Sequence, residues 1–305
     1  MRPFMRLLVL ASSFLGFANS CHAQLTIIPN YDVSLSSLSN FSAIQSTING
    51  ALAEYSVRYA DPITLHMTFK NLASGLGSNV TQTQTVDYAD FRAALVAHAT
   101  TADDFSVLSF LPSQPSSPVN GSVSVRMTVA NAKVLGLFDG FTSNDSTISL
   151  NVSIMNVTRP PQNPSFYDLK AVAQHEIDEA LGTFSGVDTG LPFSADHSRF
   201  GGVNTFSFTT SNTANAYFSV NGGTTNLANY NQSGNGDYGD WVVGIPARVQ
   251  DFQATQGATP DLGVELRLLD VIGYHLITAV PEPSGLLLGG SAIVLGMIAW
   301  YRRRS

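Results

Sequence analysis

The sequence predicts an α+β protein built around one large domain. Helix-spaced and alternating apolar segments follow one another along the middle of the 305-residue chain, which is long enough to bury a sizeable core. Residues 183–260 are instead rich in Gly, Asn, Ser and Thr, so the second half of the domain is expected to be loop-rich. A hydrophobic share of 44% and a charged share of 12% argue against disorder.

Periodic segments define the elements of the first half. They predict, in order, a strand at 25–28, a helix at 41–59, a strand at 62–69, a helix from Asp87 or Asp90 to about His98, and strands at 122–129 and 148–154. The first strand is expected to end at Pro29 and to lie at a sheet edge, because proline cannot donate a ladder hydrogen bond. The helix at 41–59 should bury one apolar face, formed by Ile44, Ile48, Ala51, Leu52 and Tyr55.

The second half is expected to contain two helices separated by loops and short strands. The predicted elements are a helix at 165–181, strands at 205–209 and 217–220, and a helix at 262–272. Ser165 is the expected N-cap of the first helix, since Pro164 precedes it, and Gly182 marks its end.

Composition and motifs exclude several classes of function. The net charge is −7, and 10 of the 15 basic side chains but 21 of the 22 acidic ones lie between residues 24 and 281. This acidic body would repel phosphate backbones, so nucleic-acid binding is not expected. The only cysteine is Cys21, which precedes the domain and excludes a disulfide scaffold, a Cys zinc site or a Cys nucleophile within it. The serines form no GxSxG nucleophile elbow, so a serine hydrolase is not supported.

Residues 1–23 have the pattern of a secretory signal peptide. Two arginines precede an apolar run from Leu7 to Phe17, and small residues follow up to an expected cleavage after Ala23. A lipoprotein that is cut before Cys21 is the alternative. The segment before that cysteine lacks the leucine usual for lipid attachment, which favours ordinary cleavage and export.

Residues 281–305 combine a Pro-Glu-Pro motif, an apolar stretch from Ser284 to Tyr301 and three arginines. The apolar stretch is near the lower length limit of a membrane-spanning helix, and the arginines would stay cytoplasmic. A plain membrane anchor is one interpretation. The three parts in this order also resemble a bacterial PEP-CTERM sorting signal. That resemblance implies a Gram-negative host, an exosortase-type enzyme that removes the tail, transient anchoring in the membrane, and a final place at the cell surface or outside the cell.

The strongest chemical signal in the body, residues 24–280, is the segment QHEIDEALG at 174–182. On a helix, His175 and Glu179 project from one face and can give two ligands to a single metal ion. Glu176 can reach the same space, where it could act as a general base. A zinc peptidase needs two helical ligands, a third ligand from elsewhere, an open position for water, and such a base.

A surface helix with solvated acids and an incidental His175 is the alternative. Four ionisable side chains within five positions are unusual in a chain with 12% charged residues, and apolar residues border them. Asp178 fits the solvent side of such a helix. The two glutamates and the histidine share a side with Val172, and acids on a buried face need a partner, of which a cation is the simplest.

The same helix resembles the HExxHxxG helix of metzincin-type zinc peptidases, with Glu179 in place of the second His. More closely, the chain resembles secreted PEP-CTERM bacterial proteins described as metalloproteases. The matching stretches are HEIDEALG at 175–182, AYFSVNGGTTNL at 216–227, GDYGDW at 236–241 and LGVELRLLDVIGY at 262–274. The resemblance implies a metzincin-like zinc peptidase domain with an active-site helix, a twisted mixed sheet above the active-site cleft, and an edge strand that holds an extended peptide.

Two departures separate the chain from the metzincin pattern. Ser185 stands where metzincins place a third His, and there is no Met between Met155 and Met297 to form a methionine turn. The resemblance therefore implies a metal-site scaffold more firmly than a working protease.

The third metal ligand is left open between Asp196 and His197. His197 would complete a His2Glu set, which is the ligand combination of several hydrolytic zinc sites. Asp196 lies where the related proteins have an acid followed by an arginine and an aromatic residue. An ordinary polar loop is the alternative for both residues.

Weaker signals complete the set of candidate sites. The glycine-rich segment 235–240 could present oxygen ligands to calcium, although it lacks a full calcium-loop pattern and a tight turn is the simpler interpretation. His66 is expected to be a core or edge residue of a strand. His98 is expected to end a helix, where a cationic side chain favours the helix dipole and needs no further role.

The leading hypothesis is an exported, envelope-sorted, zinc-dependent peptidase that acts on peptide or protein substrates. His175 and Glu179 would bind the zinc, Asp196 or His197 would complete the ligand set, and Glu176 would be the base. The second hypothesis is a non-catalytic surface or extracellular-matrix binding protein on a degenerate protease scaffold. A third is an adhesin-like domain without a metal.

Overall fold

The computed structural model describes residues 24–138, 140 and 142–277. The α-helices among them are α1 Val33–Ser36, α2 Phe41–Ser56, α3 Tyr88–His98, α4 Ala102–Leu108, α5 Val129–Val134, α6 Leu169–Leu181 and α7 Val264–Val271. The strands are β1 Thr26–Tyr31, β2 Thr64–Asn71, β3 Gly77–Thr81, β4 Thr83–Asp87, β5 Ser124–Thr128, β6 Ser146–Leu150, β7 Met155–Asn156, β8 Tyr167–Asp168, β9 Arg199–Gly202, β10 Thr205–Phe206, β11 Tyr217–Phe218 and β12 Ala228–Asn229. The expected signal peptide at 1–23 and sorting signal at 281–305 lie outside the described residues.

The largest sheet of the first half is mixed. Its strand order is β1-β2-β6-β3, with β1, β2 and β6 parallel and β3 antiparallel to β6. Strand β3 is at one edge and lies against helix α6. This arrangement places the predicted His-Glu helix directly beside an edge strand.

The second half forms short strands between long loops, as its composition predicts. The four strands β10-β9-β11-β12 make an antiparallel sheet, and β10 and β11 are only two residues long. The expected strands at 205–209 and 217–220 are therefore present but shorter than predicted. Helices and strands are mixed along the chain, and the strands form several sheets, so the predicted α+β class is confirmed.

Helices α2 and α6 pack against each other and bury the apolar face predicted for α2. All five residues of that face are buried: Ile44, Ile48, Ala51, Leu52 and Tyr55. The hydroxyl of Tyr55 reaches α6, where it donates a hydrogen bond to Asp178 Oδ1 at 2.8 Å and lies 3.0 Å from the carbonyl of Gln174. The contact fixes the rotation of α6 about its axis.

Asp178 corrects the sequence-based assignment of the faces of α6. It was expected on the solvent side of the helix, but its exposed fraction is 0%. The reason is the packing of α2 on that side, where the Tyr55 hydroxyl satisfies one carboxylate oxygen. Burial and the nearby Glu265 carboxylate raise the pKa of Asp178 well above its ordinary value.

Among the element boundaries that differ from expectation, two have a clear physical reason. Strand β1 continues through Pro29 to Tyr31, because β1 pairs on one side only and an edge position tolerates the missing N–H. Helix α6 begins at Leu169 rather than near Ser165. Its N-cap is Asp168, whose carboxylate accepts a hydrogen bond from the main-chain N–H of Ala171 at 3.0 Å.

Within residues 24–277, leaving aside 139 and 141, no helix combines the length and apolarity that crossing a membrane requires.

Candidate metal centre

Helix α6 presents its His-Glu motif to a cavity of about 350 Å³. The cavity is bounded on one side by the edge strand β3 and on the other by the loops at 237–260. The helix ends at Gly182, whose φ of +136° is a conformation that favours glycine. The acidic or basic side chains that line the cavity are Asp168, His175, Glu176, Glu179, Asp237, Asp240, Arg248 and Asp251.

His175 is oriented by a main-chain carbonyl. Its Nδ1 lies 3.0 Å from the oxygen of Val249, and because a carbonyl only accepts, Nδ1 carries the proton. In the neutral ring, the other nitrogen, Nε2, then has the lone pair. It lies 3.7 Å from Glu179 Oε1 and 3.6 Å from Asp240 Oδ1.

Asp240 supplies the third side chain of this cluster from the glycine-rich loop. The loop is held by Asn231, whose side-chain amide donates to the carbonyls of Asn235 and Asp237 at 3.0 and 3.1 Å. The carboxylate of Asp240 is 4% exposed and accepts a hydrogen bond from Gln250 Nε2 at 2.9 Å. Such a second bond orients a carboxylate toward the atoms on its other side.

The three side chains have the spacing of a metal site. One ligand atom from each of His175, Glu179 and Asp240 lies within 4.8 Å of the other two. Ligands at zinc-to-ligand distances of 2.0–2.2 Å lie roughly 3.3–3.6 Å apart around a tetrahedral ion, which is close to the two separations measured from His175 Nε2. The donor set of one imidazole and two carboxylates is richer in oxygen than the His2Glu set considered from the sequence, but it remains competent for zinc.

Glu176 lies beside this cluster and against the edge strand. It is 5% exposed, and its carboxyl group lies beside that of Glu179. Its main-chain oxygen accepts a hydrogen bond from Asn79 Nδ2 of β3 at 3.2 Å. A Cβ atom at Gly77 would lie 2.1 Å from Glu176 Oε1, so only glycine leaves room for the carboxylate here.

The cluster is strongly acidic. Burial and the carboxylates of Glu176 and Asp240 hold the pKa of Glu179 well above its ordinary value, and burial raises the pKa of Asp237 to about 6. Burial lowers the pKa of His175, but the carboxylates of Asp240 and Glu176 outweigh that effect and raise it. A divalent cation among these groups would relieve the repulsion between the acids.

The arginine that lines the cavity, Arg248, is already engaged in hydrogen bonds. Its Nε donates to Asp251 Oδ1 at 3.0 Å, and its guanidinium also donates to the carbonyl of Val242. It therefore neutralises Asp251 rather than the acids around His175.

Neither sequence candidate for the third ligand is brought to this cluster. His197 lies on the 3-10 turn Ser194–Ser198, with Nε2 3.0 Å from Ser117 Oγ and its ring packed against those of Tyr88 and Phe91. Burial lowers the pKa of His197 to about 4. The whole 3-10 turn is buried in the interior, so His197 does not reach the cluster. Asp240 occupies the third ligand position instead.

The carboxylate of Asp196 is engaged in hydrogen bonds within its own loop. Its carboxylate accepts hydrogen bonds from the main-chain N–H groups of Gly186 and Phe193, both at 2.8 Å, and from Ser185 Oγ at 2.6 Å. Its oxygens are therefore not available to the His175 cluster. Ser185, noted in the sequence for replacing a histidine, is a partner of this buried acid.

The segment 235–240 forms the tight turn that was the simpler interpretation of its sequence. Asp237 Oδ1 accepts a hydrogen bond from the N–H of Gly239 at 2.7 Å, which is the geometry of an Asx turn. The turn delivers Asp240 to the cavity. The turn is visible in the sequence as GDYGDW, but the spacing of residues along the chain could not show that Asp240 lies beside His175.

Comparisons with protein-family models, with curated proteins and with solved structures find no match to this chain. The site is therefore interpreted from its own geometry.

Proposed function

We propose that this chain is an exported zinc-dependent peptidase that is sorted to the bacterial envelope, with a metzincin-like site on helix α6. The observation that carries the proposal is the position of His175 Nε2, which lies 3.7 and 3.6 Å from carboxylate oxygens of Glu179 and Asp240 at the wall of a cavity. The general base of the proposed reaction, Glu176, lies on the same wall.

Each residue has a distinct part in the proposed reaction. His175, Glu179 and Asp240 would hold the zinc, which would supply a Lewis acid for the peptide carbonyl and lower the pKa of the attacking water. Glu176 takes a proton from the attacking water and delivers it to the leaving amine. Val249 and Gln250 act as positioning residues, because they orient His175 and Asp240 through hydrogen bonds.

A peptide is the substrate class that the walls of the cavity favour. Strand β3 is an edge strand, and its residues Gly77, Ser78 and Asn79 line the cavity. An extended peptide can pair with such an edge through main-chain hydrogen bonds. Its scissile carbonyl would then lie near Glu176, which packs directly against Gly77.

The proposal includes the route of the protein to its place of action. The segments 1–23 and 281–305 would direct export and exosortase-type sorting, with the C-terminal helix in the membrane only until the tail is removed. The body of the protein would then act at the cell surface or outside the cell.

A non-catalytic metal-binding surface protein is the second candidate. The second carboxylate favours it, because each added negative ligand makes the zinc less electrophilic and its water less acidic. Calcium remains a candidate cation for the same reason, since carboxylate oxygens are its preferred ligands.

Peptide hydrolysis by the purified full chain tests the proposal. The chain is supplied with zinc and incubated with a peptide library, and cleavage is followed by mass spectrometry. We expect cleavage that a chelator abolishes and added zinc restores, that His175→Ala lacks, and that the control variant His66→Ala retains. Zinc bound at His175 without any cleavage would favour the second candidate over the peptidase.

The contact between Gly77 and Glu176 gives a prediction about activity. Gly77→Ala should lower kcat/KM about 100-fold, because the new methyl group displaces the Glu176 carboxylate by an ångström or more. The matched control is Gly202→Ala, at which a Cβ meets nothing within 4 Å. Equal activity of the two variants would mean that the position of Glu176 does not matter for the reaction.

The hydrogen bond from Gln250 gives a prediction about metal affinity. Gln250→Met keeps the buried volume but removes the donor to Asp240, so zinc affinity should fall 10- to 100-fold. Competition with a chromophoric chelator measures the change, and the exposed Gln253→Met is the control. Unchanged affinity in Gln250→Met would show that Asp240 needs no such orientation.

A further inference from the structure

A second cluster of metal-ligand side chains lies outside the cavity of the candidate metal centre. It consists of Asp61, which precedes β2, His98, the last residue of α3, and His275, which follows α7. One ligand atom from each lies within 4.8 Å of the other two. None of the three lines the cavity at His175.

Asp61 is a buried acid whose negative charge has no lysine or arginine beside it among the described residues. Its exposed fraction is 1%, and among the described residues its one ion-pair partner is His275, at 2.8 Å between Oδ1 and Nδ1. The main-chain N–H of His275 also donates to Asp61 Oδ2 at 3.1 Å. A buried carboxylate with no lysine or arginine beside it is a position at which a cation is favourable.

His98 is the member that an ordinary Asp-His pair does not explain. Its Nδ1 is buried and has no hydrogen-bond partner among the described residues, although a buried ring nitrogen normally has one. The ring centroid lies 4.9 Å from that of His275, at an interplanar angle of 33°. Two imidazoles are therefore packed together next to one carboxylate.

We propose that Asp61, His98 and His275 form a second zinc site, whose role is structural. Two imidazoles and one carboxylate are a donor set that zinc commonly takes. Water or the second oxygen of Asp61 would complete four-coordination. The proposal does not depend on the peptidase function, since it uses none of the residues of the His175 site.

Zinc binding requires a small local adjustment. His275 takes the tautomer that carries its proton on Nε2, so that Nδ1 offers a lone pair to the ion, and Nδ1 and Asp61 Oδ1 move apart from 2.8 Å to roughly 3.4 Å, the spacing of ligands around tetrahedral zinc. The side chain of His275 is 29% exposed, which gives it room to move and gives the ion a path of entry.

The site would connect parts of the chain that are far apart in sequence. The C-terminal segment is already joined to the entry of β2 by the hydrogen bond from Ala60 N to the carbonyl of His275, at 2.9 Å, and by the bridge between Tyr59 and Leu276. Zinc would add α3 to this junction through His98. The binding free energy of such a metal crosslink would stabilise the fold, in a domain that has no cysteine for a disulfide.

Zinc stoichiometry of the tag-free full chain tests the proposal. After loading with zinc chloride and dialysis, elemental analysis should find two zinc ions per wild-type chain and one in His98→Ala, Asp61→Asn and His175→Ala. Asp61→Asn keeps an oxygen that accepts from the N–H of His275, and His66→Ala is the control that should retain both ions. Loss of the only bound zinc in His98→Ala, with no change in His175→Ala, would support this site and contradict the peptidase site. A wild-type content that His98→Ala and Asp61→Asn leave unchanged would overturn the proposal.

Thermal unfolding gives an independent readout of the structural role. Zinc at about 100 times its Kd should raise the Tm of the His175→Ala variant by about 5–10 °C. The rise should be far smaller in the double variant that carries both His175→Ala and His98→Ala. An equal rise in both proteins would contradict the proposal.

Chemical modification of the wild type tests the second zinc site without any variant, and so it still applies if the variants do not fold. Zinc should protect His98 and His275 from carbethoxylation by diethyl pyrocarbonate, while His66 should react equally with and without the metal. Equal reaction of His98 and His275 in both conditions would mean that their cluster is only a hydrogen-bonded pair with a stacked ring.

Discussion

Glu176→Gln is expected to lower kcat/KM for peptide hydrolysis by a factor of about 10² to 10⁴ while zinc binding is retained. This is the range by which positioned general bases accelerate reactions. Glutamine keeps the volume and the hydrogen-bonding capacity beside Glu179, but it cannot accept a proton from water. Activity is measured on a cleavable peptide found in the library, and zinc content by elemental analysis.

The matched control is Glu54→Gln on helix α2. Glu54 forms ion pairs with Arg58 and Lys170 and does not line the cavity, so removing its charge should leave activity within a few-fold of the wild type. Full activity in Glu176→Gln would exclude Glu176 as the base. Loss of zinc together with activity would instead make Glu176 a metal ligand.

Asp240→Asn is expected to weaken zinc binding at the His175 site by more than about 100-fold. Loss of a residue that only orients a metal ligand already lowers metal affinity 10- to 100-fold, and Asp240 is proposed to bind the ion directly. The amide oxygen can still accept the hydrogen bond from Gln250, so the fold should persist. Zinc titration of the His98→Ala background isolates this site from the second one.

Two control variants separate ligation from general charge effects. Asp188→Asn removes an exposed negative charge that acts on Asp237 from outside the cluster, and its zinc affinity should stay close to that of the parent. Asp196→Asn should destabilise its own loop, where the carboxylate accepts two main-chain hydrogen bonds, without a change in zinc stoichiometry. An unchanged affinity in Asp240→Asn would remove Asp240 from the ligand set.

Local sequence patterns predicted the elements that build this site. The apolar face of α2 recurs at helical spacing, and all five of its residues are buried. The four-residue separation of His175 and Glu179 placed both on one face of α6, where their ligand atoms are 3.7 Å apart. Periodicity works here because each helix buries a stripe that is set by its own geometry.

The third member of the cluster could not be predicted in this way. Asp240 lies on a loop far along the chain from His175, and only the tertiary fold brings the two together. Asp196 and His197 were closer in sequence and chemically suitable. Both are drawn into the interior by contacts with Gly186, Phe193 and Ser117, which no local pattern reveals.

Asp178 and His98 are two further residues whose tertiary contacts could not be predicted from local sequence patterns. Asp178 has a polar side chain at a position that suggested solvent, but the Tyr55 hydroxyl of α2 satisfies it in the core. His98 is at a helix end, as predicted, where the dipole alone would explain it. Its contact with His275 depends on how the C-terminal segment returns to α3.

An anomalous difference map from crystals of the full chain soaked in zinc, recorded at the zinc edge, tests the metal centre most directly. We predict a peak within 2.0–2.2 Å of His175 Nε2 and of carboxylate oxygens of Glu179 and Asp240, with Glu176 beside it. A fully soaked crystal without a peak at these three residues, or with a peak at His197 instead, would contradict the proposed site and with it the assignment of Glu176 as the base.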